Sequence, residues 1–271
     1  MKRANQKLIA SMAVLLVSGT VAQAILFQDT FNAGPTTDIN TDYAARQAGG
    51  AVSAQYTGNQ AWYGLNGSHL VHSGGGEIAL DANLAGGIVG NDFEFSFKQT
   101  MLNTNSNWSA IYLASATEDT RGNSRVGMHT WGTGQLAAVY TVYGGTGAAG
   151  AAYAATARSP AQMDALWQAN FGTDFNRTAE HLIQFISTPG AGGTNTFDFV
   201  VDGVVVIADK VYAFNDDTVR NIEIVGTIPN HADGSNGALY DDLTVIPEPA
   251  TLGMVVFLGA GILWVRRYFV V

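Results

Sequence analysis

Five aromatic side chains sit among Asn and Gly: Trp62 and Tyr63 in QAWYGLNGS, Trp108 and Tyr112 in NWSAIYLAS, and Trp131 in MHTWGTG. Sugars bind by laying C–H faces on aromatic rings while amides and carboxylates hold the hydroxyls, so these five are the candidate glycan contacts. Large aromatics mostly fill cores, and Trp62 and Trp131, flanked by Gly and polar residues, are the two with the best claim to the surface. A second chemistry needs hard oxygen ligands. The segments NDD and HADGSNG and the pair Asp241-Asp242 could bring Asp216, Asp217, Asp233, Asp241 and Asp242 to one calcium ion. The same residue types are also ordinary turn formers.

Catalytic patterns are weak. Retaining glycoside hydrolysis needs two carboxylates about 5 to 5.5 Å apart, which a strand supplies at i and i+2. The chain has six glutamates, none followed by another acid at i+2; Glu94 is followed by Ser96 and Lys98. Asp198 and Asp202 share a strand face, but Asp202 opens an Asp-Gly turn. A G-x-S-x-G elbow is missing, and GGGE (74–77) lacks the Lys-Ser/Thr of a phosphate loop. His69 and His72 are three apart, which converges only on a helix; NGS and SGGGE around them imply a strand with opposite faces, against zinc. The expectation is a protein without catalytic activity.

The elements that position these residues are strands. In NDFEFSFKQT, Phe93, Phe95 and Phe97 alternate with polar residues, the pattern of a half-buried antiparallel strand. Residues 107–115 form a second, with Trp108 and Tyr112 on the face opposite Ile111 and Leu113. HLIQFIS (181–187), VRNIEIVG (219–226), GALYDDLTV (237–245) and LFQDTFN (26–32) follow, and Asp202-Gly203 joins two further strands as a tight hairpin. One helix is expected, with Ser159 as N-cap, Pro160 at its first position, Gln162 as reciprocal cap and Met163, Leu166 and Trp167 on one face. The Gly/Ala-rich stretch 144–157 has no consistent period and reads as a mobile loop. No internal repeat argues for a solenoid or propeller.

Residues 25–245 carry eight Lys and Arg against 21 Asp and Glu, a net charge of −13. That balance argues against nucleic acid and anionic membrane surfaces as partners. Cysteine is absent, so the fold rests on its core and a disulfide-stapled scaffold is excluded.

Both termini read as addresses. Lys2, Arg3 and Lys7, the apolar run Leu8 to Val17 and AQA at 22–24 have the order of a secretory signal peptide, residues 1–24. At the other end an uncharged run of 14 residues, Leu252 to Val265, lies between Pro247-Glu248-Pro249 and Arg266-Arg267. With its N-terminal side exported, the arginines belong on the cytoplasmic side, and snorkelling lets a run this short serve as a transmembrane helix. The two prolines should leave 244–250 extended, solvent-accessible and outside regular pairing. The ordered set Pro247, Glu248, Pro249, apolar helix, Arg266 and Arg267 resembles the PEP-CTERM sorting signal of Gram-negative bacteria, here residues 246–271. The resemblance implies an exosortase-type membrane protease-transferase as partner, a transient inner-membrane anchor, and delivery to the cell surface or extracellular polysaccharide matrix. The terminal YFVV departs from the usual short basic end.

The body, residues 25–245, is similar to the concanavalin A-like and laminin-G-like group in its early LFQDTFN strand, its Asp202-Gly203 hairpin, NIEIVG and YDDLTV. That resemblance implies an all-β, two-sheet antiparallel jelly-roll sandwich with one short helix, a fold that hosts lectins, glycoside hydrolases and adhesive domains alike.

Overall fold

A computed structural model describes residues 25–48, 55–81, 93–102, 107–114, 125–142, 152–189, 194–213, 221–227 and 237–247. Its strands are β1 (Phe27–Asp29), β2 (Gln47–Ala48), β3 (Tyr56–Gly58), β4 (Tyr63–Leu65), β5 (Leu70–His72), β6 (Gly75–Asp81), β7 (Phe93–Met101) and β8 (Trp108–Ala114). Then come β9 (Arg125–Trp131), β10 (Leu136–Val142), β11 (Ala152–Arg158), β12 (Glu180–Pro189), β13 (Thr194–Val201), β14 (Val204–Ala213), β15 (Asn221–Thr227) and β16 (Ala238–Pro247). A four-residue helix α1 (Tyr43–Arg46) and the helix α2 (Pro160–Phe171) complete the described elements, with one 3-10 turn at Gln60–Trp62.

The strands form two antiparallel sheets. Sheet A runs β14-β13-β12-β7-β16-β1-β2, with β5 added beside β16 and β4 beside β5; sheet B runs β11-β10-β9-β8-β15-β6-β3. Alternation decides what lies between them. On β7, Phe93, Phe95, Phe97 and Met101 are buried while Glu94, Ser96 and Lys98 are half-exposed, and on β8 Ile111 and Leu113 face inward to the same core. This is the expected two-sheet jelly-roll sandwich.

The hairpin and the helix follow their sequence signals. Asp202 and Gly203 take φ of 48° and 79°, the left-handed pair that a tight turn between β13 and β14 requires. Ser159 Oγ accepts from the Gln162 N–H at 3.3 Å, Gln162 Oε1 accepts from the Ser159 N–H at 2.9 Å, and Met163 and Trp167 are buried below.

Two expectations are corrected, and two strands were missed. Residues 152–158 are not loop: β11 pairs residue for residue with β10, so the ladder overrides a composition poor in β-formers, while 143–151 lie outside the described residues. Strand β9, which carries Trp131, and strand β10 were not anticipated, because Gly, Ala and Thr interrupt their alternation. The closing strand also does not stop at 245. It pairs with β7 through Ile246↔Glu94 and Pro247↔Phe93, and Leu243 and Val245 are fully buried. Pro247 is tolerated as the last residue of the strand, where a missing donor disturbs the ladder least. The signal segment 1–24, Glu248, Pro249 and the tail through Arg266 and Arg267 lie outside the described residues. Among the described residues no helix is long and apolar enough to cross a membrane.

Candidate functional site

Sheet B carries a second, smaller apolar cluster on the face turned away from the main core. Ala110, Tyr112 and Ala137 form it, with Trp108, Trp131 and Val225 packed against them. Because Ile111 and Leu113 point to the core, strand alternation sends Trp108, Ala110 and Tyr112 to the opposite face. The pairing of β8 with β9 sets Trp108 across from Trp131, Ala110 across from His129 and Tyr112 across from Gly127. The pairing with β15 sets Glu223 across from Tyr112 and Val225 across from Ala110.

These positions build one aromatic group. The Trp108 and His129 rings stack with centroids 4.2 Å apart and planes 19° apart, and His129 meets Trp131 at 5.3 Å and 34°. The Tyr112 ring lies edge-on to His129, and its hydroxyl is hydrogen-bonded to His129 Nε2. Gly127 makes room for it: a Cβ there would stand 2.8 Å from Tyr112 Cδ1 and 2.0 Å from the Ile111 carbonyl oxygen. The floor is closed and the rim is open. Tyr112 is 2% exposed, Glu223 1% and His129 8%, whereas Trp108 and Trp131 are half-exposed.

A chain of contacts from α2 holds the rim. Asp164 Oδ2 accepts from Arg177 at 2.8 Å, and Arg177 Nε donates to the Thr133 carbonyl at 2.8 Å. Thr133 belongs to the turn after β9, which closes by Gly134 N–H to Trp131 O at 2.9 Å and Trp131 N–H to Gln135 O at 3.0 Å. Gly134 has φ 85°, and a Cβ on it would lie 2.5 Å from Arg177 Nε. The residue type, the cation and the capped helix together fix where Trp131 stands.

Of the five expected glycan contacts, the structure gathers Trp108, Tyr112 and Trp131 in one place. Tyr112 lies in the floor, so it supports the rim and offers no ring face to a ligand. Tyr63 is a correction: it is 3% exposed, its hydroxyl donates to the Ile224 carbonyl at 2.9 Å, and its ring stacks on His72 at 4.5 Å. Trp62 is separate from this group, half-buried against the main core, with its indole where a Cβ of Gly74 would have to go. His129 and Glu223 were missed. The signal for His129 was present, since it stands two residues before Trp131 and so shares its face. Glu223 is the acidic residue inside the apolar run NIEIVG.

Of the calcium candidates, Asp241 and Asp242 are the two that the structure describes. Asp216, Asp217 and Asp233 lie outside the described residues, and Asp242 pairs with Lys98 at 2.6 Å at an irregularity of β16. Asp241 is half-buried beside it, and that burial raises its carboxyl above the usual range. Among the described residues no three His, Asp or Glu side chains converge as a metal site. Asp202 Oδ1 accepts from the Leu182 N–H at 2.9 Å and its Oδ2 lies 2.6 Å from His181 Nδ1, while Asp198 accepts from the Asp209 N–H at 2.8 Å. Both therefore hold local backbone. Glu94 accepts from Gln184 at 2.9 Å. His69 and His72 part as expected: His72 is buried, and His69 lies 3.5 Å from Glu180 at the surface.

No family model matches the chain, and no curated protein does. Among solved structures it is similar to the receptor binding domain of botulinum neurotoxin C/D mosaic serotype, with a TM-score of 0.52 and 9% identity, over 88% of this chain and 51% of that one. A pseudo beta-1,3-glucanase of Mycobacterium tuberculosis aligns at a TM-score of 0.47 and 14% identity, over 83% of this chain and 99% of its own. The endo-beta-1,4-glucuronan lyase of the fungus Trichoderma reesei aligns at 0.45 and 14%, over 73% and 88%. The chain spans about half the length of the neurotoxin domains it matches. Likeness at this level is one of fold, and the fold is the antiparallel jelly-roll sandwich described above.

Proposed function

We propose that the protein is a non-catalytic, exported surface or matrix protein that contacts extracellular polysaccharide through the Trp108–His129–Trp131 face of sheet B. One observation carries the reading: two half-exposed indoles stand directly across from each other, both in contact with His129, over a floor containing Glu223. Indole faces supply apolar contact with sugar rings, and neighbouring polar groups orient the hydroxyls. The N-terminal signal pattern and the resemblance of residues 246–271 to PEP-CTERM tails support export, a transient inner-membrane anchor and an exosortase-type partner. A glycan array probed with the protein and with Trp108→Ala and Trp131→Ala forms tests the contact. Binding that survives both substitutions unchanged overturns it.

A second reading, an extracellular glycan-cleaving enzyme, draws on the Tyr112–His129 hydrogen bond, since a phenol bonded to an imidazole can move a proton. Against it, Glu223 is the one carboxylate among the residues paired directly with Trp108, Ala110 and Tyr112 of β8, where hydrolysis by the usual route needs two. Release of reducing ends from neutral polysaccharides, abolished by Tyr112→Phe, would favour the enzyme.

A further inference from the structure

We infer that the space between the two sheets beside Trp131 is a binding site for one tightly held water molecule, which joins Gln99 of β7 to Thr130 of β9. The site is independent of the glycan-contact reading. Strand alternation aims both side chains inward. On β7, Phe97 and Met101 flank Gln99 on the core face, and on β9 the core residues Val126 and Met128 set Thr130 on that face, opposite to His129 and Trp131. Strand β7 belongs to sheet A and β9 to sheet B, so the two side chains enter the interior from opposite walls. Together with Trp131, Phe175, Arg177 and His181 they line one cavity of about 10 Å³.

Both side chains are buried, Gln99 at 3% exposure and Thr130 at 8%, and each has an oxygen that bonds no group among the described residues. Gln99 Nε2 donates to the Tyr240 hydroxyl at 2.9 Å, which leaves its Oε1 as an acceptor in want of a donor. Thr130 Oγ1 is in the same position. The polar neighbours are engaged elsewhere. Arg177 turns Nε to the Thr133 carbonyl and Nη2 to Asp164, while the two ring nitrogens of His181 face Asp202 and the Asn176 carbonyl. Buried polar atoms are costly when unbonded, and nearly all find a partner in protein or in ordered water. Size and chemistry then choose the ligand. One water needs roughly 10–15 Å³ of such space and about two to four polar partners, and the cavity with its two oxygens meets both needs at their lower limit. A sugar unit is far too large. A metal ion would ask for at least about six oxygen ligands and would here stand beside the Arg177 guanidinium. A water can donate to Gln99 Oε1 and either donate to or accept from Thr130 Oγ1. The bridge ties sheet A to the strand that carries Trp131, one residue beyond Thr130.

The test is a crystal structure of the full-length chain at a resolution that shows ordered water, beside those of Thr130→Ser and Thr130→Val. In the natural chain one density peak should lie within roughly 2.5–3.2 Å of both Gln99 Oε1 and Thr130 Oγ1. Thr130→Ser keeps the hydroxyl and should keep the peak, whereas Thr130→Val keeps the shape without the hydroxyl and should lose it. Should the valine form not fold, the natural chain decides alone. A site without a peak, with the two oxygens bonded to each other or to other protein groups, overturns the inference. So does a peak that persists unchanged in Thr130→Val, or one ringed by the oxygen ligands of a metal ion. Each of these results leaves the glycan-contact reading standing, since that reading is decided by the two tryptophan variants.

Discussion

The Ser109 hydroxyl lies 2.7 Å from His72 Nδ1, and the two residues belong to different sheets. Ser109 Oγ also bonds the Tyr240 hydroxyl, which accepts from Gln99 Nε2 at 2.9 Å. The apolar core is thus crossed by a polar chain drawn from β5, β8, β16 and β7. Buried polar groups cost free energy unless they are hydrogen-bonded, so such a chain fixes how one sheet sits on the other.

That arrangement sets a pH dependence. Burial lowers the His72 pKa from 6.5 to about 4, so the folded protein holds a neutral imidazole while the unfolded chain protonates below about 6.5. The unfolded state then binds more protons, and stability falls as pH drops from 6.5 towards 4, by roughly 3 kcal/mol in all. Asp241, whose carboxyl is raised by burial, works in the opposite sense at the acid end. Melting temperatures between pH 7 and 4 should fall, and His72→Gln, with no proton to gain, should flatten that part of the curve. A curve of unchanged slope in the variant would show that His72 does not set it.

The N-terminal strand has its own lock. Asp29, fully buried, accepts from Arg46 Nε at 2.9 Å, from the Phe31 N–H at 2.9 Å, and from Tyr56 and Gln47 at 3.2 Å each. Arg46 also donates to the Thr41 and Ile39 carbonyls. Asp29→Ala leaves a buried guanidinium without its counter-charge, a change that costs about 3–5 kcal/mol. A fall in melting temperature on the order of 10 °C is expected. A fall of a degree or two would mean that water reaches Arg46.

Trp108→Ala and Trp131→Ala remove half-exposed rings from the rim and should each weaken glycan binding about tenfold, equivalent to ~1.4 kcal/mol. Isothermal titration against the best array ligand measures it, with unchanged far-ultraviolet circular dichroism as the control for folding. Gly127→Ala reaches the same site from below, since the new methyl collides first with the Ile111 carbonyl oxygen and then with the Tyr112 ring. Such overpacking costs about 1–3 kcal/mol. A variant that binds and melts like the parent would show that the β8 backbone shifts away from β9 to take the methyl.

Much of this was readable from the sequence, for reasons visible in particular residues. Phe93, Phe95 and Phe97 alternate without interruption, and Ser159-Pro160 with Gln162 spells a helix start, so local chemistry sufficed. The parity of Trp108, Tyr112, Ile111 and Leu113 even gave the correct faces of β8. Which strands lie side by side was beyond it, because the register that sets Trp108 against Trp131 and Glu223 against Tyr112 is a long-range property. Tyr63 misled because its flanking Gly and Asn suggest exposure, whereas the fold turns its hydroxyl to the Ile224 carbonyl.

The C-terminal boundary gives the last prediction. β16 is an interior strand, with β7 on one side and β1 and β5 on the other, and it runs two residues past the boundary expected from the prolines. Removing residues 248–271 should therefore leave the melting temperature within a few degrees, because the strand keeps its full ladder. Removing residues 243–271 also takes the fully buried Leu243 and Val245, each worth about 1.5–3 kcal/mol of burial, together with the ladder pairs of 244–247, and should leave no folded domain. The same geometry dictates how the proposed sorting role of the tail must be tested. Replacing Pro247 disturbs the end of a paired strand, so a scrambled motif should alter Glu248 and Pro249 alone. That form should fold normally and fail to reach the cell surface, as fractionation of producing cells would show. Should removal of 248–271 instead lower the melting temperature by ten degrees or more, the tail packs into the sandwich and the sorting interpretation fails.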